Sequence, residues 1–184
     1  MALSKVIRDP VESLLNSFKL CPISCVTDRD LGIDGFNVLI TLEAAISGKP
    51  VFLSTDGFIR DLSMKYSKYR PSKFFLEAAS HLKDLITRLD PKSAVLYLDS
   101  PVSKSGEIAK ELREVVGDVI KVEVTKEVDR KVSHHEVSAS SDVVVIKMSR
   151  CVVDIPSAII DRLGIEPVTP LPWLKKVWRV KDRW

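Results

Sequence analysis

Three cysteines in 184 residues, Cys21, Cys25 and Cys151, are too few and too unevenly spaced for a disulfide framework, which excludes the small stapled secreted scaffolds. Buried thiols are the expectation. A zinc site built from Cys21, Cys25 and the His134–His135 pair is the alternative, weakened by an unspecific C-x-x-x-C spacing and by histidines remote in sequence. No apolar run approaches the length of a membrane span, so a membrane is not an expected partner. The stretch Met1 to Pro10 carries Lys5, Arg8 and Asp9 and lacks the apolar segment of a secretory signal, which makes the cytoplasm the expected compartment. The sequence also lacks a G-x-x-x-x-G-K-[ST] loop and a G-x-G-x-x-G turn, disfavouring the usual nucleotide-driven chemistries. It has no internal repeat and no sign of a second domain.

What is present suits one globular domain. Hydrophobic residues make up 45% and charged residues 29%, so neither disorder nor a membrane needs invoking. A chain of this length buries roughly 70% of its unfolded surface without metals or disulfides. Residues 1–30 read as a helical segment packed on the domain: Pro10 can open a helix, and Val11, Leu14, Leu15 and Phe18 form one apolar stripe whose expected job is packing. After the Gly32-Ile33-Asp34-Gly35 turn signal, the run Phe36-Val38-Leu39-Ile40 reads as a buried strand. A short helix then covers Thr41 to Ser47, closed by Gly48, and a second strand covers Val51 to Leu53.

The clearest helix runs from Ser72, as N-cap, to Leu89, with Phe75, Ala78, Ala79, Leu82, Leu85 and Ile86 on one face. Ala94 to Leu98 is a buried strand ending at Asp99, Gly106 to Val116 a helix, and Val119 to Val124 a strand. Asp142 to Ile146 is β-branched, which favours a strand, although Ser141-Asp142 could equally start a helix. A last short helix follows Pro156, and prolines 167, 170 and 172 then oppose regular structure. This alternation predicts an α/β fold, a mostly parallel central sheet covered by helices, in which ligands gather beyond the carboxyl ends of the strands.

Three aspartates follow apolar runs: Asp34 with Asn37 three residues on, Asp99, and Asp142 after the small residues Ser138 to Ser141. In a parallel sheet they would converge on one edge. Carboxylates crowded there repel unless a cation sits among them, and oxygen-only ligands suit Mg2+ or Mn2+, which can generate hydroxide and polarise a phosphodiester. The ordinary duty of any one such aspartate is helix capping or turn formation.

The segment Ile33-Asp34-Gly35-Phe36-Asn37-Val38-Leu39 resembles the opening of the PIN and NYN nuclease-like superfamily, which often reads D-G-x-N. Gly48-Lys49-Pro50-Val51-Phe52, Asp56-Gly57-Phe58-Ile59-Arg60-Asp61 and Leu98-Asp99-Ser100-Pro101-Val102-Ser103-Lys104-Ser105-Gly106-Glu107 resemble an uncharacterised, chiefly archaeal family of that superfamily, with D-S-P-x-S-x-S-G the most specific part. The likeness spans roughly Leu31 to Leu163 and implies a PIN-like three-layer α/β/α domain over 31–166. By this resemblance Asp34, Asp99, Asp129 and Asp142 would ligate metal, Asp34, Asp99 and Asp142 would serve catalysis, and Asn37 would orient a ligand, water or phosphate. It also makes the segment after Asp142 a helix, the reading preferred here. PIN nucleases carry a further acid on a central helix, a place to which neither Glu43 nor Glu77 can be assigned.

Asp56 and Arg60 have two readings of equal weight, turn chemistry or a place beside metal and phosphate. Ser103, Lys104 and Ser105 crowd the helix start after Asp99, where free amides can receive a phosphate. Basic residues alternate with aromatic ones around Lys65, Tyr66, Lys68, Tyr69, Arg70 and Lys73, and again in a tail at 167–184 with Trp173, Trp178 and Trp184, a pattern that suits single-stranded or structured RNA. His134 and His135 are expected in a surface loop. The leading expectation is a metal-dependent nuclease, RNA favoured at the family level; a homodimer is compatible with it. The alternative is a catalytically inactive module of the same scaffold that binds RNA or a protein. A phosphatase using Asp34 as nucleophile lacks its usual second aspartate, because that position is Phe36.

Overall fold

The computed structural model describes residues 3–62, 69–102 and 104–171. Ser103, Lys65, Tyr66, Lys68 and the tail tryptophans Trp173, Trp178 and Trp184 lie outside the described residues. Five parallel strands, β1 (Asp30–Asp34), β4 (Ser93–Asp99), β5 (Lys121–Thr125), β6 (Val137–Ala139) and β7 (Val152–Val153), form one sheet in the order β5-β4-β1-β6-β7. A separate antiparallel pair joins β2 (Phe52–Leu53) to β3 (Ile59–Arg60). Helices α2 (Gly35–Ile46), α3 (Phe75–Leu89), α4 (Ser105–Val116) and α7 (Ile155–Arg162) share one core with the sheet; α5 (Val128–Ser133) and α6 (Val143–Met148) pack separately through Val128, Val132, Val145 and Tyr97. The α/β class and the mostly parallel sheet agree with expectation.

The chain leaves β1 for β4 and β5 on one side, then returns past β1 to β6 and β7 on the other. That reversal makes the carboxyl ends of β1 and β6 the crevice where an open α/β sheet takes ligands.

The run Phe36 to Ile40 is helix, not strand. The strand is the preceding segment, Asp30–Asp34, and the apolar run continues into α2, whose residues Gly35 to Ala45 are all buried. A helix enclosed on every side has no polar face, so its sequence shows no 3.6-residue rhythm to separate it from a core strand. Gly35 lets the start of α2 close on β4: a Cβ there would lie 2.8 Å from the Tyr97 carbonyl oxygen. The expected helix at Thr41 to Ser47 is the second half of α2.

Helix α1 (Pro10–Ser17) exists, but its expected packing is inverted. Val11, Leu14, Leu15 and Phe18 are exposed, Phe18 to 76%, while Ser13 and Asn16 are buried. Hydrogen bonds seat the polar face, Ser13 Oγ with Thr55 Oγ1 at 2.8 Å and Asn16 Nδ2 to Asp56 Oδ2 at 3.1 Å.

The segment after Asp142 is helical despite its β-branched residues, because the Asp142 carboxylate accepts from Val144 N at 2.7 Å and Val145 and Ile146 fill core positions. Helix α3 starts at Phe75, three residues after its expected cap; Ser72 Oγ instead accepts from Phe74 N at 3.2 Å in the approach. Among the prolines near residue 170, regularity persists briefly: Val168 N donates to the Val51 carbonyl and the Val168 carbonyl accepts from Leu53 N, both at 2.8 Å.

Candidate metal and phosphate site at the sheet switch point

Asp34 ends β1 at the crevice. One carboxylate oxygen accepts from Asn37 N at 3.3 Å, capping α2, and the other accepts from Ser140 Oγ at 2.8 Å. Ser140 Oγ in turn accepts from Asp142 N at 3.0 Å. Asn37 Oδ1 takes both the Ser141 amide at 2.8 Å and the Ser141 hydroxyl at 3.1 Å. The β6–α6 loop is thereby held against β1 by side chains of the D-G-x-N segment.

Asp56 and Arg60 brace the same loop from behind. The Arg60 guanidinium meets both Asp56 oxygens at 2.6 and 2.8 Å, and its Nε donates to the Ser141 carbonyl at 3.0 Å. Both side chains are buried. Burial pushes the Asp56 carboxyl up, but the Arg60 guanidinium outweighs it and holds the group below its usual value. The structure therefore commits this pair to each other, leaving the guanidinium as a clamp on residue 141.

The aspartates affect one another electrostatically. Asp34 is pushed up to about 7, first by burial and further by the charges of Asp142 and Asp99, against the pull of its Ser140 and Asn37 hydrogen bonds. Burial and then the charges of Asp129 and Asp142 raise Asp99, and burial followed by Asp142 raises Asp129, which stands in the first turn of α5. All four expected aspartates thus share one field. Among the described residues no three carboxylates bring oxygens within 4.8 Å of one another, so a cation here would complete its shell with water or substrate oxygens. The donors are all oxygen and carry surplus negative charge, which fits a hard divalent cation.

A cleft of about 210 Å3 opens beside Asp142, lined by Asn37, Arg60, Asp61, Ser141, Lys5 and Arg8. Asp61, which accepts from Thr41 Oγ1 at 3.1 Å, lines the same cleft. The long separation from Asn37 and Asp142 left no sequence signal for Lys5 or Arg8. A second groove, about 1010 Å3, runs between the approach to α3 and the start of α4. It unites Lys104 with Arg70 and Lys73, two basic features that are separate in sequence. Lys104 pairs with Glu107 at 2.9 Å, Ser105 Oγ donates to the Ser100 carbonyl at 3.3 Å, and the buried Ser100 hydroxyl has no hydrogen-bond partner among the described residues.

The two candidate acids of the helices lie elsewhere. Glu43, on α2, receives the Tyr69 hydroxyl and, at 2.8 Å, Ser72 N, so it braces the approach to α3; Glu77 is exposed beside His81. The histidines do not join Cys21 and Cys25. His135 is half-buried with Nε2 3.0 Å from the Tyr97 hydroxyl, and burial lowers its pKa.

Fold and site together define a doubly wound parallel α/β domain with an acidic switch point. The family described as Domain of unknown function (DUF5616) matches residues 23–158, and the chain belongs to it. The chain is also 38% identical over 170 residues to the uncharacterized protein MJ0935 of Methanocaldococcus jannaschii, a match covering 86% of this chain and 80% of that one. No solved structure matches it significantly. Among the described residues no helix is long and apolar enough to cross a membrane.

Proposed function

We propose that this protein is a divalent-metal-dependent nuclease of the PIN/NYN-like kind, hydrolysing phosphodiester bonds in RNA. The observation that carries the reading is the gathering of Asp34, Asp99, Asp129 and Asp142 at the carboxyl ends of the strands, where Ser140 links the Asp34 carboxylate to the Asp142 amide and burial, helped by the Asp142 charge, raises the other three. Carboxylates so placed gain most from a bound cation, which removes their repulsion. Asp34, Asp99, Asp129 and Asp142 would hold Mg2+ or Mn2+. When bound, such a cation supplies an acidified water and a polarised phosphoryl oxygen.

The chain's own residues have separable parts in this scheme. Whichever of these four carboxylates reaches the cation through water would orient that water and take its proton. Asn37 and the Arg60 clamp hold the loop bearing Asp142. Lys104, Arg70 and Lys73 draw in a phosphate backbone along their groove, which makes binding salt-dependent. The test is cleavage of single- and double-stranded RNA and DNA in Mn2+, Mg2+ or chelator by wild type and Asp34→Asn. Metal-dependent cutting of RNA that vanishes in the variant is expected; equal cutting by both rejects the assignment.

One observation favours a second reading: the absence, among the described residues, of three carboxylates within 4.8 Å of one another. A scaffold with a spread acidic set can bind RNA or a protein through the basic groove without turnover. Salt-dependent RNA binding with no cutting in any metal would select it.

A further inference from the structure

All three cysteines of the chain meet at the opposite end of the sheet from the aspartates. Cys151 immediately precedes β7, Cys21 follows α1, and Cys25 lies in the 3-10 turn Ile23–Val26. Their three sulfurs lie within 4.8 Å of one another, Cys25 Sγ 3.3 Å from Cys151 Sγ, and a disulfide joins Cys21 to Cys151. The backbone brings them together independently of that bond. Cys21 N donates to the Val152 carbonyl and Val152 N to the Lys19 carbonyl, both at 2.8 Å, and Cys25 N donates to the Pro22 carbonyl at 3.0 Å. Each cysteine is partly exposed, leaving a route for an ion from solvent.

We propose that the reduced trio, Cys21, Cys25 and Cys151, is a three-thiolate site for a soft or borderline d10 cation, Zn2+ or Cu+, separate from the oxygen-donor site at the aspartates. Thiolates about 2.3 Å from a tetrahedral zinc stand about 3.8 Å apart, within the spacing observed here. Sulfur selects these cations over Mg2+ and Mn2+. Three donors leave a fourth position for water or an external ligand; among the described residues no histidine or carboxylate joins the cluster. Entry into this state requires a two-electron reductant; a pair of external thiols, for example, gives the Cys21–Cys151 bond two electrons and two protons and becomes a disulfide itself. The cation then displaces thiol protons to solvent.

Bound metal would tie the segment after α1 to β7 through Cys21 and Cys25 at once. Oxidation ties it through Cys21 alone. The cluster thus offers two mutually exclusive clasps at one place.

The test uses the full chain, reduced with a phosphine, freed of reductant without air and verified to carry three free thiols. Co2+ is titrated as the probe and Zn2+ used to displace it. Expected are near-ultraviolet sulfur-to-cobalt charge transfer that saturates at one equivalent of thiolate-bound Co2+, and strong visible bands of a tetrahedral site. Cys25→Ser should weaken the binding read from that charge-transfer band at least about tenfold and reduce its intensity, whereas Glu77→Gln, at an exposed position on α3, should leave both unchanged. Far-ultraviolet circular dichroism checks that the serine variant is folded; Cys25→Ala gives a second reading if it is not. No thiolate-to-cobalt absorption in the fully reduced wild type overturns the proposal, as does an undiminished signal in both folded Cys25 variants.

Discussion

Asp34 lets the burial argument be tested through stability alone, without any substrate. The perturbation is Asp34→Asn in metal-free protein, followed across pH. In the folded chain the carboxyl is 7% exposed and its pKa is about 7. An unfolded aspartate titrates near about 3.9. Below both values the group is protonated in either state and contributes nothing. As pH rises the unfolded chain ionises first, so folding loses stability until the folded group ionises too, after which the cost is constant. The full difference is about 4 kcal/mol, an upper limit because relaxation and water entry reduce it. Asparagine cannot ionise and escapes this cost while still able to accept from Asn37 N.

Guanidinium unfolding with chelator at about pH 4.5 and about pH 7.5 measures the effect as the variant-minus-wild-type difference, which cancels the other carboxylates. That difference should be small at the lower pH and favour the variant by about 2–4 kcal/mol at the higher one. Mn2+ should restore wild type toward the variant at the higher pH, by linkage. A difference that is flat between the two pH values would refute the claim that burial and neighbouring charge hold a proton on Asp34.

Two further outcomes probe the surroundings. Arg60→Met removes the only charge paired with Asp56 among the described residues, an aspartate whose side chain is 0% exposed, and should cost about 3–5 kcal/mol in chemical denaturation, a loss partly recovered by adding Asp56→Asn. Because the pair holds Asp56 below its usual pKa while burial alone raises it, the wild-type advantage over Arg60→Met should be complete only above the raised Asp56 value of the variant and shrink as pH falls toward the folded wild-type value. In the helices, Leu39→Ala in α2 should destabilise by about 2–5 kcal/mol and Phe18→Ala beyond α1 by less than about 0.5 kcal/mol; comparable losses would mean that the stripe on α1 is covered in solution.

Amphipathic helices were legible because each has one wet face, and the central strand ending at Asp99 because its apolar run is too short for a helix. The α3 and α4 segments and the strand ending at Asp99 lie where their patterns place them, with shifts of one to three residues at the ends. The α2 segment misled because a helix buried all round reads like a strand. The α1 stripe misled for the opposite reason: apolar periodicity locates a face without saying which way it turns, and here hydroxyl and amide groups with partners forty or more residues away decide the orientation. The site was legible as a set of strand-end aspartates. Its cross-braces were not, because Arg60 to Ser141 and Ser140 to Asp34 join segments separated by 81 and 106 positions.

The Arg60 clamp has an entropic consequence for any ligand of the crevice. The β6–α6 loop carrying Asp142 belongs to neither flanking element, and such loops normally surrender their freedom when a ligand arrives. Here the Ser141 carbonyl, amide and hydroxyl are all engaged before anything binds. The ordering of these residues is settled during folding, so the free energy of a later encounter is left for contact with the ligand itself.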